Sequence, residues 1–160
     1  DSYNELRSNT PGFANAQIAS VASVLGVRES RHIEGKYKIT VEDVLNHAIF
    51  DDAICTFAYA LDKHDSEGGG VTWSLVDRYY TIPYRSLLPV NCDNLLVAGR
   101  SISADAIAGS AIRMMPSCMA FGQAAGTAAA MCAAQNIAPK DVDVQALRQT
   151  LVAQGQFVGG

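Results

Sequence analysis

Along the chain the apolar positions change rhythm several times. After the turn signal Thr10-Pro11-Gly12, the residues Ile18, Val21, Val24 and Leu25 suit either a helix or an irregular strand. Ile33, Tyr37 and Ile39 then fall at mostly even spacing around Gly35, which predicts two short strands or a hairpin. Thr40-Val41-Glu42-Asp43 has the form of a capping box, so a helix of about two turns is expected, to roughly Ala48. Ala53 to Leu61 reads as a strand, Asp62 to Gly70 as a polar loop, and Tyr79 to Pro83 as an extended segment that Pro83 confines to an edge or an end.

The last third is more strongly patterned. Asn94-Leu95-Leu96-Val97-Ala98-Gly99 is an apolar run closed by glycine, the form of a strand buried on both faces of a parallel sheet. A loop from Arg100 to Met115 leads to a long helix over 116–135 that opens on Pro116. Asp143 is placed to cap a final helix over 144–154, with Val144, Leu147 and Leu151 on one face and Gly155 at its end. Strands and helices together give the class α/β, with α+β character in the N-terminal half. No internal repeat is present.

Composition narrows the function. The chain has 160 residues, 49% apolar and 18% charged. A chain of this length buries roughly 70% of its unfolded surface, so it folds around one continuous core. Twelve basic and sixteen acidic side chains give a net charge of −4. Such a balance argues against a nucleic-acid surface, which needs a basic stripe. The uncharged run Met114 to Pro139 is rich in Ala and Gly and reads as a buried helix, not a membrane span. The opening residues Asp1-Ser2-Tyr3-Asn4-Glu5 do not read as a signal peptide, and the chain reads as a piece of something longer. The compartment of its parent stays open.

Cys55, Cys92, Cys118 and Cys132 lie 37, 26 and 14 positions apart, without zinc-ligand spacing, so no metal site is expected and burial as small apolar side chains is. No G-x-G-x-x-G occurs, which leaves the chain without a complete dinucleotide cradle. Gly99-Arg100-Ser101-Ile102-Ser103 approaches the hydrolase elbow G-x-S-x-G, but Ser103 stands in the second glycine's place and no histidine follows. Arg28, Glu29 and Arg31 form a compact charge group, readable as paired charges or as an anion pocket.

One unit does point to chemistry. A helix that opens on proline wastes no donor there, and the amides that follow it lack intrahelical acceptors and carry the positive end of the dipole. On this helix Gly122, Gly126 and Ala130 recur every four residues, a bare face open either to tight helix packing or to a flat ligand.

These residues resemble the C-terminal part of the FAD-dependent oxidoreductases with a two-dinucleotide-binding-domain flavoprotein fold, distant relatives of the fumarate reductase and succinate dehydrogenase flavoproteins. The resemblance rests on Val27-Arg28-Glu29-Ser30-Arg31, Gly35 to Thr40, Ile82 to Pro89, Asn94 to Arg100, Arg113 to Ala120 and Gly122 to Ala129. It implies residues 1–90 in a substrate-covering domain and 91–160 in the FAD-binding domain. It implies FAD as cofactor, with Gly99, Arg100, Cys118, Met119 and Ala120 near the flavin. Ser110 and Arg113 fall on the substrate side, and Arg31, His64 and Arg113 are the catalytic candidates. The N-terminal phosphate-binding module would be a partner in the same protein, the fragment alone would be inactive, and self-association through an uncovered apolar face is plausible on the same grounds. The rival expectation is a packing or interaction domain without cofactor.

Overall fold

The computed structural model describes residues 2–64, 71–74 and 76–159, with the backbone alone for 62–64 and 71–74. In chain order the elements are α1 (Ser2–Asn9), α2 (Val41–Leu45), β1 (Ala53–Phe57), β2 (Leu61–His64), β3 (Val71–Ser74), β4 (Tyr80–Pro83), α3 (Ala106–Ile112), α4 (Met115–Gln135) and α5 (Val144–Ala153). Mixed α/β content agrees with the sequence. The predicted polar loop falls largely on 65–70, outside the described residues, as does the side chain of His64.

Local signals fold as written. The Thr40 hydroxyl accepts from the Asp43 amide while the Asp43 carboxylate accepts from the Thr40 amide, a complete capping box on α2. Tyr37 donates to the same carboxylate; burial and that anion push its phenol up to about 12. The helix ends at Leu45, shorter than predicted. It closes with a Schellman pair, Ala48 N to Asp43 O and His47 N to Val44 O, which puts His47 at φ 55°. Asp143 caps α5 through the amides of Gln145 and Ala146, and Gly155 supplies the positive φ that closes it.

β1 and β4 pair antiparallel, with Cys55 opposite Ile82 and Phe57 opposite Tyr80, and Pro83 ends its strand as predicted. β2 and β3 form a second antiparallel pair. Several expectations fail, and the predicted strand from Ala53 ends at Phe57. Neither two short strands nor a hairpin forms around Gly35: that segment bonds across the chain, Ile33 N to Ser101 O, Lys36 N to Leu88 O and Ile39 N to Ser103 O. Residues 94–98 form no strand either. An apolar run becomes a strand only beside a ladder partner, and this one has a single ladder-like bond, Val97 N to Leu87 O, with Leu95 left exposed. Residues 106–112, expected as loop, are α3.

One carboxylate explains that last helix. Asp105 accepts from the Ala108 amide with one oxygen, capping α3, and from the Val41 amide with the other, at the start of α2. The core runs through both halves of the chain, from Ile39, Val44 and Ile54 through Tyr84 and Leu87 to Phe121, Ala124, Leu147, Leu151 and Val158. Phe121 anchors α4 on β1, edge-on to Phe57 at 6.0 Å. The tail returns to β1, where Gln156 donates to Ile54 O and Arg148 to Ala53 O. Ile18, Val21, Val24 and Leu25 lie in neither helix nor strand and are exposed. Among the described residues no helix is long and apolar enough to cross a membrane.

Cys55 is buried, and burial alone pushes its thiol well up. Cys118 and Cys132 are half-buried, and Cys92 is exposed, contrary to the expected burial of all four, because it sits in the irregular turn before residue 94.

Candidate functional site

The tip of α4 is built from Met114, Met115, Pro116 and Ser117. Met114 is the N-cap in extended backbone and has no side-chain cap to offer, and no acidic residue stands in the first turn. The helix begins one residue before Pro116, which therefore stands second and brings no N–H. Cys118 N already donates to Met114 O. Inside the helix the amides of Cys118, Met119 and Ala120 are engaged in the same way. The amides of Met115 and Ser117 meet no acceptor among the described residues, so the open donors lie one turn earlier than the sequence placed them. At the same turn the Ser117 hydroxyl is buried and has no hydrogen-bond partner among the described residues.

Electrostatics and shape concur. An uncapped tip keeps its positive partial charge, and nothing acidic in its first turn offsets it. Met115 and Met119 are 81% and 74% exposed and flank the tip as apolar surface. Gly122 and Gly126 follow on an open face where an added Cβ would meet nothing within 4 Å, so their bareness does not serve helix packing among the described residues. The buried face of α4 is instead Ser117, Phe121, Ala124 and Ala128. Farther along, a cavity of about 670 Å³ lies between 93–96 and Ala125, Ala129 and Ala133, lined mostly by apolar side chains.

The remaining predicted residues distribute unevenly. Gly99 takes φ 77° at the turn leading to Arg100. Arg100 donates to the carbonyls of Val27 and Arg28, binding that segment to the turn at 99–101 that precedes α3. Burial raises the Cys118 thiol while Arg100 pulls it down, a setting that favours the protonated thiol over a reactive thiolate. Ala120 is half-buried, and its carbonyl accepts from Gln156. Ser110 is buried and donates to Ile107 O within its own helix. Arg31 is exposed and makes no hydrogen bond or ion pair with the described residues.

Arg113 is drawn into a cluster that sequence reading saw only in part. Its guanidinium donates to Glu29 Oε2 at 2.7 Å, and Glu29 Oε1 lies 3.0 Å from His32 Nε2. His32 Nδ1 stands 2.8 Å from Ile102 O, so both ring nitrogens face oxygen acceptors. The one available signal for His32 was its place three residues after Glu29, which on an irregular segment carries little weight. Ser117 was legible only as part of the Pro-Ser-Cys start. Among the described residues no group of three His, Cys, Asp or Glu side chains could hold a metal ion.

No curated protein and no solved structure matches the chain. The family model described as FAD dependent oxidoreductase matches residues 2–151.

Proposed function

The chain belongs to the FAD dependent oxidoreductases, and from that premise we propose that it is the C-terminal part of a flavoprotein whose α4 tip faces the pyrimidine edge of the isoalloxazine. The observation that carries this reading is the tip itself: two open amides, at Met115 and Ser117, beside a buried and unpartnered Ser117 hydroxyl. Such a donor set suits a flat acceptor-bearing edge that gains negative charge on reduction. FAD, when bound, supplies the hydride chemistry.

The chain's own residues supply position and charge. Met115 and Ser117 would hold the edge by hydrogen bonds, with Gly99, Arg100, Cys118, Met119 and Ala120 surrounding it. Met119 offers an apolar flank that keeps water from the edge. On the substrate side Arg113, which immediately precedes the tip in the chain, is the leading candidate, with Arg31, Ser110 and His64 as the others. Residues 1–90 would cover the substrate and 91–160 would complete the FAD-binding domain. With no G-x-G-x-x-G in the chain, the pyrophosphate cradle would come from a separate dinucleotide-binding module, so this piece alone would be inactive. The bare face at Gly122 and Gly126 and the irregular run 94–98 would offer that module a place to dock.

Titration of the full-length protein with FAD tests the assignment. The expected result is a protein that carries flavin absorbance bands, or quenches added FAD at micromolar concentration or below, while residues 1–160 alone bind at least about tenfold more weakly. A colourless full-length protein that leaves FAD fluorescence unchanged would favour a cofactor-free packing domain.

A further inference from the structure

Resting on the flavin reading above, we infer that Glu29 is a positioning residue for the α4 tip, acting through Arg113. Its carboxylate bridges two groups: Oε2 takes the Arg113 guanidinium at 2.7 Å and Oε1 the His32 ring at 3.0 Å. The three side chains are 18%, 11% and 17% exposed for Glu29, Arg113 and His32, too enclosed for the loose pairing of surface charges.

The bridge is wedged in place from beneath. A Cβ on Gly109 would come within 3.0 Å of Glu29 Oε1 and 3.1 Å of His32 Cε1, so carboxylate and ring rest directly on α3. His32 is itself pinned to Ile102 O, and the next residue's amide donates to Ser101 O. Arg113 is the C-cap of α3 and immediately precedes Met114, the N-cap of α4. The corner between the two helices is therefore engaged from outside by the Glu29 carboxylate, borne on a segment with no secondary structure of its own. Arg100 fastens the same segment two and one residues earlier through Val27 O and Arg28 O.

Geometry and charge make opposite predictions for this residue. A cation beside a helix N-terminus adds to the positive end, and Glu29 offsets it. If Glu29 acted by charge alone, removing its charge would tighten the binding of an edge that becomes negative. If it positions the tip, removal loosens the corner and weakens binding even though the site becomes more positive.

The full-length protein carrying Glu29→Gln separates the two. We expect FAD affinity to fall about tenfold or more, and in the flavin-free protein the hydrogen-bonded amides of Cys118, Met119 and Ala120 to exchange about tenfold faster than in the unaltered protein. Unchanged or tighter FAD binding, or unchanged exchange, would overturn the inference. Should Glu29→Gln fail to fold, Glu29→Gln with Arg113→Gln removes both charges; fast exchange at Cys118, Met119 and Ala120 supports the role and native exchange there overturns it. If the unaltered protein takes no flavin, the flavin reading falls while the exchange result still decides whether Glu29 holds the corner.

Discussion

Phe121→Ala is expected to lower stability by roughly 3–5 kcal/mol, the usual range for deleting a buried aromatic ring. The ring is fully buried and meets Phe57 edge-on, at an interplanar angle of 82°. On its own helix the buried neighbours are Ser117, Ala124 and Ala128, all too short to extend into the gap. Phe121 is the largest side chain that α4 contributes to its layer against β1, and the void left behind would stay open. In urea unfolding the midpoint should fall with the slope unchanged. A loss below about 1 kcal/mol would mean that the helix collapses onto the sheet, contrary to the packing described.

Asp105→Ala is expected to cost roughly 2–3 kcal/mol, about twice an ordinary cap. One oxygen accepts from Ala108 N at 2.7 Å and the other from Val41 N at 2.8 Å, so alanine leaves open donors at the starts of two helices. Asp105→Asn, which keeps one acceptor oxygen, should recover about half of the loss. Equal stability of the asparagine and alanine variants would contradict the double cap, as would a cost for alanine below about 0.5 kcal/mol. Chemical denaturation of the three proteins gives the comparison.

What could be read in the sequence was what neighbouring residues decide among themselves. The capping box of α2, the Asp143 cap, Gly155 at the end of α5 and the course of α4 within a residue each depend on contacts inside a single turn. The misses depend on distant partners. Leu95 to Ala98 has strand composition without a ladder. Ile33 to Ile39 has strand periodicity, but its amides look to Ser101, Ser103 and Leu88. α3, with glycine and serine in its interior, has little helical signal of its own and relies on Asp105 and on burial.

The site divides along the same line. An uncapped helix opening near Pro116 was visible in the letters, because proline and the missing acidic residues are local facts. Which amides stay open was not, since that depends on the helix starting at Met115. The Glu29 bridge joins residues 84 positions apart, and no spacing rule reaches so far.

The most direct test is the midpoint potential of the flavin-loaded full-length protein carrying Met114→Asp. Aspartate is a preferred N-cap, so the variant should gain up to about 1 kcal/mol in stability. Its carboxylate would also take the amide at Ser117 and set a negative charge where reduced flavin places its own. We predict a potential lower by about 30 mV, the equivalent of about 1.4 kcal/mol for a two-electron couple, in a protein that melts no earlier than the original. An unchanged potential in that well-folded variant would contradict a flavin at the tip of α4.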